Sequence, residues 1–384
     1  MTNNLLRDRR FTAAIFLALA VVVMILSGRT FRQMFEPDLI IEGPGVTGKA
    51  KLSKYLPTLK DTPSDTDVYY LKGKEPGAKF LVMAGAHNDE VAGQATAIVL
   101  LENAVVKKGE LIIIPRMNNS GATHTEVMEA HPQFLEVKSR SGGVRKIRTG
   151  SRYLNPVHQF PDPEVYVHVT SGQKTPGSES RNLNRVHPGA PRGTLLERVS
   201  YAVVQLINQE KVDLTLDLHQ AIPEHYVDNC LVGHQRAMEL VTLALMSLKA
   251  QGIKIKMYAS PRGVSGLSHR GIGDATQTYM VLAESNQMMI TKFRGKTTHQ
   301  LLLEGKDPFY DILFRKGKLF IDYDSKKGSP IEEGVGRHLS TVMELTRALT
   351  EVDETKVIEI EGVPEYMDMM ENGLGYYLKS PEKT

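Results

Sequence analysis

Apolar runs broken by polar, glycine- and proline-rich stretches divide the chain. The first run, Phe11–Gly28, holds no charge. Its eighteen residues would span roughly 27 Å as a helix, close to the hydrocarbon thickness of a bilayer. Beyond residue 65, strand-like and helix-like segments alternate. Val68–Lys72 and Lys79–Ala84 read as strands, Glu90–Lys107 as a helix and Glu110–Arg116 as a continuously apolar strand. Residues 118–193 lack a periodic pattern, and so long a loop in a compact domain is usually functional or misread. Periodicity returns with a helix at Thr194–Glu210, a strand at Val212–His219 and a helix at Gln235–Gln251. Strands follow near Ile253–Tyr258 and at Tyr279–Glu284, then a short strand at Leu319–Tyr323 and a helix at Arg337–Val352. This alternation predicts an α/β fold with a mixed, mostly parallel central sheet flanked by helices. It divides into a cytoplasmic flank and signal anchor (1–35), a linker (36–65), a chemistry-bearing domain (66–300) and a C-terminal extension of that domain (301–384).

Composition is ordinary for a globular chain, with 41% hydrophobic and 24% charged residues. The net charge of +3 is concentrated in the N-terminal flank, where five arginines face Asp8 within the first 35 residues. The remainder is slightly acidic, which argues against a nucleic-acid partner. More arginines precede the apolar run than follow it, so the N-terminus is expected inside and the bulk outside. The expected location is a bacterial inner membrane, with the main domain periplasmic or extracellular; cleavage to a secreted form is the alternative. Cys230 is the one cysteine, which excludes an intrachain disulfide and a cysteine-ligated metal cluster. Gly43–Ala50 fits GxxxxGK, but Ala50 stands where a P-loop needs Ser or Thr for magnesium.

The candidate chemistry sits at strand ends. His87 and Glu90 follow the apolar strand KFLVMAGA, and His219 closes LTLDLH. Two imidazoles and a carboxylate suit zinc and leave a fourth position open for water. Glu284 ends a third strand, where it could move protons beside such a metal. The paired Asn and Arg residues of Ser180–Gly189 in the irregular loop suggest a carboxylate clamp, since guanidinium grips carboxylate bidentately. Asp217 shares the face of His219, as a partner of that histidine or as a folding residue. No GxSxG elbow supports a serine hydrolase, and His269 reads as a loop residue.

The series GAHNDE, NLNRVHPG, LDLH and AES resembles, in order and spacing, the succinylglutamate desuccinylase/aspartoacylase family of carboxypeptidase A-like zinc hydrolases. The resemblance covers roughly residues 78–290. It implies zinc on His87, Glu90 and His219, Glu284 as general base, and Asn184 and Arg185 on the substrate carboxylate. Asn88 replaces the family's usual glycine, and Asn182 replaces an aspartate that accepts a hydrogen bond from a ligand histidine. Lys174 and Arg181 lie near the place of the family's oxyanion-stabilising arginine. The activity implied is hydrolysis of an amide beside a carboxylate, on a small N-acyl amino acid. The alternative is an exported carboxypeptidase that trims short peptides, including those of a cell wall.

Overall fold

The computed structural model of the chain describes residues 9–126, 132–286, 288, 293, 295 and 297–380. The chain forms two units, one ending at Asp38 and one beginning at Leu39. The first contains helix α1 (Arg9–Gln33), 25 residues long with none buried. At 1.5 Å per residue it extends about 37 Å, and it is long and apolar enough to cross a membrane.

The second unit opens with β1 (Gly48–Lys51), β2 (Asp67–Lys72), β3 (Glu75–Ala84), α2 (Val91–Asn103) and β4 (Val105–Ile114). Two hairpins follow, β5 (Phe134–Lys138) with β6 (Val144–Arg148), and β7 (Val165–Val167) with β8 (Lys174–Pro176). Next come α3 (Leu195–Glu210), β9 (Leu214–Ala221), β10 (Cys230–Gly233), α4 (Met238–Ala250), β11 (Lys256–Ala259), α5 (Ser268–Ala275) and β12 (Tyr279–Asn286). The chain continues through α6 (His299–Glu304), α7 (Pro308–Arg315), α8 (Ile331–Val352), β13 (Glu359–Glu361) and α9 (Tyr366–Asn372).

Among the described residues, nine strands form one mixed sheet in the order β1-β2-β4-β3-β9-β12-β10-β11, with β13 also on β4. The central strands β4, β3, β9 and β12 are parallel, and antiparallel pairing begins on either side. Both faces are covered, which is why these strands read as continuous apolar runs. Phe80, Val82 and Ala84 join α2, α4 and α8 in one core. The alternate residues Leu81 and Met83 join α3 in the other. α3 is amphipathic and starts with a capping box, Thr194 accepting from the Glu197 N–H while Glu197 accepts from the Thr194 N–H.

Several sequence expectations need correction. The helix expected over Glu90–Lys107 stops at Asn103, and Val105 already belongs to β4, where it pairs with β13. Leu319–Tyr323 is not a strand; Tyr323 instead packs with Tyr310, Met288 and Leu301 in a small separate cluster. The expected linker is largely part of the domain. Gly48–Lys51 is an edge strand, and Leu52 and Leu59 are fully buried. The unpatterned 118–193 region holds the two hairpins and a series of short 3-10 turns.

Arg145, on β6, ties the ends of this unit to its middle. It is buried, pairs with Glu102 of α2 at 2.7 Å, and donates to the carbonyls of Leu39 and Lys379. Arg145→Met leaves the buried Glu102 carboxylate without its counter-charge, with only the Lys379 and Ile41 N–H groups on it, an arrangement that costs about 3–5 kcal/mol. Denaturant unfolding is expected to show a loss of that size; an unchanged midpoint would refute the role.

Candidate metal and catalytic site

The parallel strands β3, β9 and β12 end side by side. After β3 the chain turns at Gly85, whose φ is +67° and where a Cβ would meet the Arg116 Cα at 3.0 Å. The turn delivers His87, and Glu90 follows as the N-cap of α2 without capping it. Asn88 pins this loop by donating to the Asn118 carbonyl at 2.8 Å and accepting from Arg116. His219 lies near the end of β9, and Glu284 is its register partner on β12.

The cluster is built around Glu90. His87 Nδ1 lies 2.6 Å from Glu90 Oε1, and His219 Nδ1 lies 2.9 Å from Glu90 Oε2. The Gln220 backbone N–H also donates to Oε2, at 2.9 Å. The outer nitrogens are held as well. His87 Nε2 is 2.9 Å from Asn182 Oδ1, and His219 Nε2 is 2.9 Å from Asp217 Oδ2. Asn182 is itself oriented, since its Nδ2 donates to Glu179 and its oxygen also accepts from the Asn184 N–H. A neutral ring with Nε2–H on its outer partner presents its Nδ1 lone pair toward Glu90, whereas a protonated ring donates Nδ1–H to that carboxylate. One atom from each of His87, Glu90 and His219 lies within 4.8 Å of the others, close enough to share one metal ion. Two imidazoles with one carboxylate are the donor set of a zinc site with an open position. Asn182 and Asp217 hold the rings from behind as partners of metal-binding histidines do.

The electrostatics follow from burial and close opposite charge. Burial opposes ionisation of Glu90, but the His87 and His219 imidazoles hold its carboxyl well below the usual range. His219 is also penalised by burial, yet Asp217 and Glu90 on either side lift it well above an ordinary histidine. Burial dominates at His87 and lowers it, with Glu90 opposing. Glu284 is pushed well above the usual carboxylate range by burial, against the opposing pull of His219. Its Oε2 is buried and has no hydrogen-bond partner.

A cavity of about 450 Å³ opens over the cluster and is lined by His87, Glu90, His219 and Glu284 together with Arg152, Asn184 and Arg185. Arg152 escaped the sequence reading. Its Nη2 is 3.5 Å from His87 Nδ1, and the charges of Asp89 and Glu90 raise its pKa despite burial. Neither Arg181 nor Lys174, expected at the substrate, is among the lining residues. Arg181 is consumed by structure, pairing with Asp162 at 2.8 Å and Glu126 at 2.9 Å. Lys174 begins the outlying β8 and is exposed. His269 is not a loop residue; it lies in the first turn of α5, lines the cavity and bonds Ser260 Oγ at 2.7 Å. Cys230 lies inside β10, where burial pushes its thiol pKa up, so it is no nucleophile. Gly48–Ala50 lies in an edge strand and not in the strand–loop–helix of a P-loop.

A mixed α/β sheet with a His/Glu/His cluster and the half-buried Glu284 at the ends of its parallel strands defines an α/β protein with a candidate metal site. More particularly, residues 76–284 match the succinylglutamate desuccinylase/aspartoacylase catalytic domain, and the chain belongs to that family of hydrolases, which implies zinc. A search of curated proteins gave no match. Solved structures that it resembles include the cell shape determinant Csd4 of Helicobacter pylori, in a Gln46His variant, at 11% identity and TM-score 0.45, covering 78% of this chain and 57% of that one. A metallo-carboxypeptidase from Burkholderia cenocepacia aligns at 12% identity and TM-score 0.45, over 80% of this chain and 66% of that one. A succinylglutamate desuccinylase/aspartoacylase from Rhodobacter sphaeroides aligns at 14% identity and TM-score 0.38, over 73% of this chain and 59% of that one. The chain thus spans under two thirds of the length of each.

Asn182→Ala and Asp217→Ala each free one imidazole from its outer partner. Each is expected to weaken zinc affinity about ten- to a hundredfold, read by competition with a chelator. Unchanged affinity in both would show that these side chains serve folding alone.

Proposed function

We propose that the chain is a zinc-dependent hydrolase that cleaves an amide bond of a carboxylate-bearing substrate, in the manner of an N-acyl amino acid deacylase. The observation that carries this reading is the unpartnered Glu284 carboxylate oxygen, on a residue in register with His219 and lining the same cavity as the ligand cluster. Zinc on His87, Glu90 and His219 would supply a Lewis acid that acidifies water and polarises the scissile carbonyl. Glu284 takes the proton from the attacking water and passes it to the leaving amine nitrogen. Its raised pKa suits a group that must both accept and release that proton. Arg152 supplies positive charge for the oxygen that becomes negative in the transition state. Asn184 and Arg185 grip the substrate carboxylate. Burial lowers the Arg185 pKa, and Glu179 is 3.5 Å from its Nε, so a bound carboxylate relieves a desolvated cation.

The same groups would serve a carboxypeptidase that trims peptides, including cell-wall peptides, and a cavity of about 450 Å³ accommodates more than a minimal acyl amino acid. Assays on N-acyl amino acids and on peptides with free C-termini, with zinc content verified, separate the two. In either case Glu284→Gln is expected to lower turnover about 10²- to 10⁴-fold with zinc content unchanged. Loss of zinc and of fold in that variant would make Glu284 structural and remove the mechanism.

For location, we infer that α1 anchors the chain in a bacterial inner membrane with its N-terminus cytoplasmic and the hydrolase domain outside. The uncharged run and the arginines preceding it support this. Protease added to intact spheroplasts is expected to degrade the domain. Complete protection until lysis would place it in the cytoplasm.

A further inference from the structure

We propose that the substrate residue bearing the carboxylate carries an apolar side chain, seated on the sheet floor beside Glu284; this rests on the amide-hydrolase reading above. Past β12 the sheet continues through β10 and β11, and its register lays an apolar row across the floor. Leu282 pairs with Val232, and Val232 pairs with Tyr258. Leu282 precedes Glu284 by two residues, so the two share a face. All three line the cavity, with Val227 and Leu267 beside them. Val232 and Leu282 are buried in a small cluster distinct from the two main cores. This wall is therefore an apolar surface given to the cavity and not an outgrowth of the folding core. Two strand spacings carry it about 10 Å beyond β12.

The floor and the carboxylate clamp are joined. The Ser268 N–H donates to Asn184 Oδ1 at 2.8 Å, which brings Leu267 next to the clamp. A residue whose carboxylate rests on Asn184 and Arg185 thus has Leu267, Tyr258 and Leu282 within reach of its side chain. Arg152 and Arg185 are the only lysines or arginines among the described residues lining the cavity. Arg152 already sits in the field of Asp89 and Glu90. A second carboxylate, on an aspartate or glutamate side chain, would lie against valine and leucine carbon, with Lys256 held 3.5 Å from the Tyr226 carbonyl at the outer end of the floor, so it would be desolvated without a partner beside Leu282 and Val232. An apolar side chain gains from the same contact.

The test uses the purified full-length chain, zinc verified, on N-acetyl-leucine, N-acetyl-phenylalanine, N-acetyl-aspartate and N-acetyl-glutamate. Expected is a kcat/KM at least about tenfold higher for the two apolar compounds. Val232→Lys, which adds a cation between Leu282 and Tyr258, is expected to narrow or reverse that ratio. Calorimetric binding of the same compounds to zinc-loaded Glu284→Gln reads the preference without turnover. Equal or better handling of the acidic compounds overturns this inference and leaves the hydrolase reading standing. Tighter binding of the apolar compounds with no hydrolysis of any of the four by the wild type supports the apolar seat and counts against the deacylase reading.

Discussion

Glu90 is the point on which the site depends, because one buried carboxylate faces two imidazoles and a backbone amide at once. An ionised carboxylate without such partners would not survive at this depth. Its position is therefore set by everything around it. Parallel pairing aligns the ends of β3 and β9, the Gly85 turn brings His87 across, and the Gln220 amide marks where Oε2 must lie. Gln220 extends the arrangement, since its side chain accepts from the Ala92 N–H in α2 and donates to the Asn286 carbonyl in β12. The elements that carry the ligands and the base are thereby held in one network.

The same electrostatics separate the roles of the carboxylates. Glu90 and Asp217 are both buried, yet histidines beside them hold both below the usual carboxylate range. Glu284 is half-buried, but its Oε2 is enclosed without such a bond, and desolvation lifts it. Groups of like chemistry are thus driven apart by their surroundings, which on the proposed reading suits one to bind and orient and the other to exchange protons.

Much of this was legible in the sequence because strand ends announce themselves. A buried parallel strand is a run of apolar residues, and a polar residue closing such a run has few places to point except the crevice at the sheet's edge. His87, His219 and Glu284 each close one. Arg152 was hidden because it sits in a segment with no period, where one arginine among several carries no positional signal. Arg181 shows the converse error. It adjoins the NLNR motif, but two acidic side chains brought from residues 126 and 162 claim its guanidinium, and such long-range pairing leaves no mark on local sequence. The helix–strand boundary at Ala104 was misplaced for a related reason. Val105 and Val106 are held in the sheet by β13, more than 250 residues further on.

The cavity's two walls come from different kinds of structure. The clamp and Arg152 belong to the irregular segment between β4 and α3, whose turns combine backbone bonds, such as Leu154 N–H to the Arg181 carbonyl, with side-chain bonds such as Asn155 to Thr123 and Gln159 to Ser180. The floor belongs to β12, β10 and β11, fixed by backbone ladders. A change of side chain in the floor alters what packs there without moving the strands, whereas a change in the clamp segment disturbs its own turns. Both walls reach the cluster, since Asn182 of the clamp segment holds His87 Nε2 at 2.9 Å and Glu284 shares β12 with Leu282 of the floor. On the proposed reading, changes at positions 232 and 258, on strands beyond β12, alter the floor while the backbone ladder that carries His219 and Glu284 stays in place.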